Sequence, residues 1–181
     1  MKKIAVIGGG AWGTTLSILL AEKGHATTLW IYEKELAEKM REFRENSLFL
    51  PGFQLPESIE ITGNLAETAA SDILIFAVPT QFLRKVAAEF NKIRPPRSLI
   101  VSACKGIELS TLKLPLDILA EELKTDALAA LSGPNLSAEI ARGLPSATVV
   151  ASKNKEVAQI IQDSLMLERF RVYVNHDPLG V

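Results

Sequence analysis

Residues 4–25 read IAVIGGGAWGTTLSILLAEKGH, an apolar run, three consecutive glycines, and a second apolar run that closes on Lys23-Gly24-His25. The period of the pattern changes across the glycines. The strand expected over Lys3 to Ile7 has no polar residue after its lysine, which suits a strand covered on both faces, as in a parallel sheet. From Ala11 to Lys23, Leu16, Leu19 and Leu20 recur at helical spacing, and Gly24 supplies the stop. The order is strand, glycine turn, helix. An export leader would share the lysine pair and the apolar run that follows Met1, but Gly8, Gly9 and Gly10 break the run where such a leader must be helical.

Gly8, Gly10 and Gly13 fit the spacing G-x-G-x-x-G. The first glycine permits a tight turn, the second lets the backbone approach a pyrophosphate, and the third lets the helix pack closely on the strand. The N–H groups at the start of that helix then face the phosphates with a partial positive charge behind them. Flanked by this strand and this helix, the motif reads as a dinucleotide site, with a purely structural turn as the alternative. A second strand is expected over Ala26 to Ile31, ending at Tyr32-Glu33-Lys34. An acid there accepts from a ribose 2'-OH and a cation prefers a 2'-phosphate, so Glu33 favours NAD and Lys34 favours NADP. Glu33 also suits the first turn of the next helix.

The alternation continues along the chain. Further strands are expected at 72–78, 98–102, 128–131, 147–151 and 170–174, and helices at 34–45, 65–70, 81–93, 114–124, 135–141 and 155–165. This rhythm predicts an α/β fold of Rossmann type: a doubly wound, mostly parallel sheet with helices on both faces, in one domain over residues 1–181. Ligands on such a sheet sit at the carboxyl ends of the strands. The segments at those ends are PTQF (79–82), ACKGIE (103–108) and SGPNLSAE (132–139). Pro79 either lines the crevice or simply ends its strand. Lys105, at a strand end and followed by glycine, is placed to bring an ammonium near a carbonyl or phosphate. Gly133 allows close backbone approach, and Asn135 either caps the helix that follows or donates to a ligand oxygen.

Composition narrows the class. The 20 basic and 21 acidic residues leave a formal charge of -1, so no global field draws the chain to nucleic acid or an anionic membrane. No apolar stretch approaches the roughly 20 residues that span a bilayer. With Cys104 as the lone cysteine, no internal disulfide forms, and a cytoplasmic location is expected. Cys104 beside Lys105 reads as an activated thiolate or as a small apolar filler. His25 and His176 lack metal-ligand spacing, so no metal is expected. Trp12 either stacks on a cofactor or packs in the turn.

Taken in order, GGGAWGTTLS (8–17), NSLFLPG (46–52), AVPTQ (77–81), ACKGIE (103–108), LSGPNLSAEIARGLPSA (131–147) and FRVYVNHDPLGV (170–181) resemble the NAD(P)-dependent glycerol-3-phosphate dehydrogenases over essentially the whole chain. The resemblance implies interconversion of dihydroxyacetone phosphate and sn-glycerol 3-phosphate with a nicotinamide cofactor, NAD or NADP, feeding glycerophospholipid synthesis. It implies that Ala11, Trp12, Lys105 and Ser137 contact the dinucleotide together with Gly8, Gly10, Gly13, Tyr32, Glu33 and Pro79. It implies that Lys105, Gly133 and Asn135 face a small phosphorylated substrate, with Lys105 orienting its carbonyl oxygen. Tyr32 stands where many similar members carry arginine or histidine, Asn135 where serine or threonine is usual, and Ser137 where alanine is usual. Such members continue beyond the segment matching 170–181 into a helical domain that holds the general-base lysine. That lysine is therefore expected beyond Val181, and this chain is expected to be the cofactor-binding half and inactive alone. The uncovered crevice is expected to favour a homodimer. Two other classes share the pattern: another reductase of ketopantoate or 3-hydroxyacid type, and a non-catalytic dinucleotide-sensing module.

Overall fold

The computed structural model describes residues 1–93 and 98–181. The chain begins β1 (Lys3–Ile7), α1 (Ala11–Glu22), β2 (Ala26–Trp30), α2 (Lys34–Phe43), and then a small hairpin, β3 (Glu45–Asn46) and β4 (Leu50–Gln54). There follow β5 (Ile59–Thr62), β6 (Ile73–Phe76), α3 (Thr80–Asn91), β7 (Leu99–Ser102) and α4 (Pro115–Leu123). The last elements are β8 (Leu128–Ser132), α5 (Ser137–Ala141), β9 (Ser146–Ala151), α6 (Lys155–Leu165) and β10 (Phe170–Asn175).

Among the described residues, eight strands join one sheet in the order β5-β2-β1-β6-β7-β8-β9-β10. Every neighbouring pair is parallel except β8 and β9. The doubly wound, mostly parallel sheet expected from the sequence is therefore present. Its two faces are legible in β1, because alternate side chains of a strand point to opposite sides. Ile4 and Val6 enter a core with Leu16, Leu19, Leu36 and Ile161, so α1, α2 and α6 cover that face. Ala5 and Ile7 enter a second core with Leu83, Phe90 and Ile118, so α3 and α4 cover the other. Each fully buried Leu, Ile or Phe in these cores contributes about 1.5–3 kcal/mol relative to exposure. Phe76 and Phe90 add an edge-to-face contact with centroids 6.0 Å apart.

The helix α1 buries three hydroxyl residues, Thr14, Thr15 and Ser17, among its leucines. Thr15 Oγ1 donates to the Ala11 carbonyl at 2.9 Å and Ser17 Oγ to the Gly13 carbonyl at 2.9 Å, so neither hydroxyl is buried without a partner. Gly24, at φ 85°, ends the helix and lets His25 N–H reach back to the Leu20 carbonyl. His25 is structural. Its Nδ1 accepts from Lys2 N–H at 3.3 Å, which leaves the proton on Nε2, 3.1 Å from the Ser164 carbonyl. Burial lowers its pKa, in keeping with a neutral ring.

Several boundaries differ from expectation. The helix expected at 34–45 stops at Phe43, where Arg44 takes a left-handed φ of 51° and returns its N–H to Met40, and Glu45 is already in the hairpin. The segment at 65–70 is a 3-10 turn, Leu65–Thr68, capped by the Asn64 carboxamide. The helix expected from Asn135 begins at Ser137. The strand expected at 72–78 is confined to Ile73–Phe76, and the following helix starts one residue earlier than expected, at Thr80. The hairpin and β5 are not among the elements expected from the sequence.

Candidate functional site

The carboxyl ends of β1, β2, β6, β7 and β8 open on one crevice, because these strands run in the same direction. The loop after β1 is the tightest part of it. Gly8 sits at φ 126°, and a Cβ there would lie 2.6 Å from the Ala77 carbonyl oxygen at the end of β6. Its N–H donates to the Trp30 carbonyl at 3.0 Å, which fastens the loop to β2 as well. A Cβ on Gly13 would lie 1.9 Å from the Gly8 carbonyl oxygen, so the helix approaches the strand end as closely as backbone permits. Gly10 is different in kind. A Cβ there would meet nothing within 4 Å, and its φ of -69° is ordinary for any residue.

Gly10 is also the N-cap of α1 and offers no side chain to the helix end. The N–H groups of Gly10, Ala11, Trp12 and Gly13 have no acceptor among the described residues. A row of free donors at a helix N-terminus, beside an uncluttered backbone, suits an anionic diphosphate. Gly8 and Gly13 thus carry the turn and the close packing that their spacing predicts. Trp12 is half-buried and packs against the core beside Ala11.

At the end of β2, Tyr32 is exposed and meets Trp30 edge-on, centroids 6.1 Å apart. Glu33 is the exposed N-cap of α2, with no side-chain hydrogen bond to the helix. Beyond them lies a cavity of about 310 Å³ whose lining includes the cations Lys34 and Arg41, the acids Glu38 and Glu67, and Asn64. At the end of β6, Pro79 is the exposed N-cap of α3. Its carbonyl accepts from Phe82 N–H at 2.9 Å, so the residue ends the strand and opens the helix.

The other wall is built from β7, β8 and the loops that follow them. Lys105 is exposed, and its Nζ donates to the Gly133 carbonyl at 3.2 Å. Asn135 does not cap the next helix. The N-cap is Leu136, which has no polar side chain, while Asn135 Nδ2 donates to the Ala147 carbonyl at 2.8 Å. The capping expectation is therefore replaced by a bond across to β9, which folds the Gly133 turn back on that strand. A Cβ on Gly133 would press on Asn135 Oδ1 at 3.1 Å and Thr148 at 3.3 Å. Ser137 starts α5, and its carbonyl, 3.3 Å from Thr15 Oγ1 of α1, shares that hydroxyl's one proton with the nearer Ala11 carbonyl.

Val181 adds no chemistry of its own to the crevice. Its aliphatic side chain is half-buried and has no proton to exchange. It follows β10, whose carboxyl end lies at the opposite end of the sheet, because β9 runs antiparallel to β8 and β10 runs parallel to β9.

The thiol of Cys104 is no nucleophile. Its Sγ donates to the Phe76 carbonyl at 3.3 Å, and burial pushes its pKa up to about 12, so the filler reading stands and the activated thiolate falls. Among the described residues, no group of three or more His, Cys, Asp or Glu side chains is placed to hold a metal ion. No helix among them is long and apolar enough to cross a membrane.

Sequence reasoning missed the residues that hold the two walls. Asn46 in β3 is fully buried and donates through Nδ2 to the Gly9 carbonyl and to Thr14 Oγ1, each at 2.8 Å. Across the crevice, the first turns of α3 grip the loop that carries Lys105. Thr80 Oγ1 donates to the Lys105 carbonyl at 2.7 Å, and Gln81 donates to the Ile107 carbonyl and accepts from Leu109 N–H. Arg84 pairs with the buried Glu108 at 2.8 Å and with Glu121 and Glu122 of α4. Arg84 and Thr111 hold the Glu108 carboxyl down at about 2.

Comparison with known proteins agrees with this geometry. The family model described as NAD-dependent glycerol-3-phosphate dehydrogenase N-terminus matches residues 3–158. A glycerol-3-phosphate dehydrogenase (NAD(P)+) from Citrifermentans bemidjiense is 46% identical over 99% of this chain and 55% of its own length. One from Geobacter sp. (strain M21) is 45% identical over the same shares, 99% and 55%. The crystal structure of glycerol-3-phosphate dehydrogenase from Coxiella burnetii superposes with a TM-score of 0.93 at 30% identity, over 99% of this chain and 55% of that one. The chain spans about half the length of the curated relatives it matches.

Proposed function

The chain belongs to the NAD-dependent glycerol-3-phosphate dehydrogenase family, and on that premise we propose that it forms the dinucleotide-binding half of an oxidoreductase that interconverts dihydroxyacetone phosphate and sn-glycerol 3-phosphate. The observation that carries the reading is the contrast at Gly10: Gly8 and Gly13 are closed by backbone and Gly9 by the Ile31 side chain, whereas a Cβ on Gly10 would meet nothing within 4 Å, beside unpaired N–H groups. That is the shape a diphosphate requires and a purely structural turn does not.

In this reading the free N–H groups of Gly10, Ala11, Trp12 and Gly13 hold the diphosphate over the turn that Gly8 makes, and Tyr32 and Glu33 border the adenosine ribose. Pro79 and Ser137 complete the dinucleotide side. Bound nicotinamide supplies the hydride carrier. Lys105, Gly133 and Asn135 face the phosphorylated substrate. The Lys105 ammonium exchanges its bond to the Gly133 carbonyl for the substrate's carbonyl oxygen and stabilises the charge that grows there. Orientation of the two reactants is worth about 7–11 kcal/mol in such a step. We propose that the general-base lysine, and with it turnover, belongs to a helical domain beyond the position of Val181, a reading supported by relatives of which this chain covers 55%. A cytoplasmic location, a homodimer and a place in glycerophospholipid synthesis belong to the same proposal.

Titration of the chain with NADH and NADPH, followed by quenching of Trp12 and Trp30, tests the dinucleotide claim. Saturable quenching by at least one nucleotide is expected. Binding of neither would overturn the reading.

A further inference from the structure

We propose that Asn46 is a positioning residue for dinucleotide binding: its carboxamide fixes the Gly9–Gly10 peptide, and so aims the diphosphate-facing N–H groups, from a hairpin that lies outside the main sheet. The proposal deepens the function argued above and rests on it.

A loop of three consecutive glycines has no side chains with which to hold its own conformation. Its shape must be imposed from outside. Gly8 is held by Ala77 and Trp30. Gly9 is held by Asn46, whose Nδ2 lies 2.8 Å from the Gly9 carbonyl oxygen. A trans peptide is planar, with C=O and N–H pointing in opposite directions. Drawing the Gly9 carbonyl toward Asn46 therefore turns the Gly10 N–H the other way, at the residue whose Cβ position is open.

Both N–H groups of the amide are committed. Its second N–H goes to Thr14 Oγ1 at 2.8 Å, and its Oδ1 accepts from Phe49 N–H at 3.1 Å. Thr14 lies in the first turn of α1 and its Oγ1 is 3.5 Å from the same Gly9 carbonyl, so one side chain fixes both the loop and the helix start. Asn46 itself is held by its own hairpin, in which Glu45 Oε1 accepts from Gly52 N–H at 2.7 Å. A two-stranded hairpin is marginal by itself, so this one is retained by its contacts, among them Leu50 and Phe53 on the core and Asn46 on the loop. A site fixed before its ligand arrives loses less freedom on binding, and affinity rises accordingly.

The test uses this chain, tryptophan quenching by NADH, saturation-transfer NMR with adenosine, which lacks the diphosphate, and thermal midpoints of each variant. Asn46→Ala is expected to weaken NADH binding by about 10-fold to 100-fold and to leave adenosine unchanged. Asn46→Asp keeps the shape, the bond from Phe49 N–H and an acceptor for the Thr14 hydroxyl, but its carboxylate cannot donate to the Gly9 carbonyl. About a tenfold loss for NADH alone is expected of it at pH 8. Thr14→Val leaves the Gly9 bond in place, and its loss should stay within about threefold. The proposal is overturned if either Asn46 variant binds NADH as the unsubstituted chain does, or if NADH and adenosine affinities fall together. It is equally overturned if both Asn46 variants fail to fold, since the contact would then serve folding. Failure of the unsubstituted chain to bind NADH would instead remove the dinucleotide reading, and this proposal with it.

Discussion

The two walls of the crevice are held by different means. The glycine loop after β1 is closed by backbone against backbone, with Gly8 against Ala77 and Gly13 against Gly8, and one buried carboxamide completes it. The Lys105 loop after β7 is tied by side chains, Thr80, Gln81 and the Arg84–Glu108 pair, and remains exposed. Backbone packing leaves no room for adjustment, because interiors do not yield by an ångström without loss of contact. Side-chain ties can be exchanged one at a time, as the Lys105 ammonium can leave the Gly133 carbonyl for another acceptor. The first wall is thus held by contacts that cannot be exchanged singly, and the second by contacts that can.

The largest test of that contrast is Gly13→Ala. A single methyl group 1.9 Å from the Gly8 carbonyl forces the helix off the strand, and a loss of about 4 kcal/mol or more in unfolding free energy is expected by denaturant titration. A shift under about 1 kcal/mol would show that the loop can give, contrary to the packing. Next comes Gly10→Val, at a position where a Cβ meets nothing within 4 Å and φ is ordinary. Its stability should fall by no more than the roughly 1 kcal/mol that a poorer N-cap costs, while NADH affinity falls by about 100-fold, since the side chain would occupy the position proposed for the diphosphate. Unchanged affinity would place the diphosphate elsewhere.

The smallest effect is expected on the second wall. Glu108 titrates at about 2 in the folded chain against an ordinary 4.5, so its bond to Arg84 stabilises the fold fully above pH 4.5 and less and less as the pH falls toward 2. Glu108→Gln should therefore lower the thermal midpoint at pH 6, and the two curves should converge in acid. Parallel curves from pH 6 to pH 2 would remove this pair from the account of the Lys105 loop.

The sequence makes the first wall legible and hides most of what supports it. The jobs of Gly8, Gly10 and Gly13 follow from spacing between a strand and a helix, a local pattern that tertiary structure preserves. Lys105 and Gly133 come together because both lie at strand ends, and β7 and β8 are neighbours. Asn46 cannot be read as buried, because an asparagine among charged residues looks solvated, and its burial comes from a loop 37 residues away. The short hairpin gives no usable period, since Pro51 and Gly52 interrupt β4. β5 does carry an alternation, Ile59 and Ile61 buried with Glu60 exposed, but four residues at the sheet edge are too short to separate from a loop. Asn135 reads as a cap from its position before a helix, and the strand opposite claims its amide instead.

The Cys104 thiol has a practical consequence. With its proton held to about 12 and directed at the Phe76 carbonyl, the sulfur presents almost no thiolate to alkylating reagents near neutrality. A cysteine introduced at an exposed position such as Tyr32 or Leu136 can thus take a fluorophore or spin label selectively, with the native residue left in place. Distances between such labels would measure the width of the crevice directly.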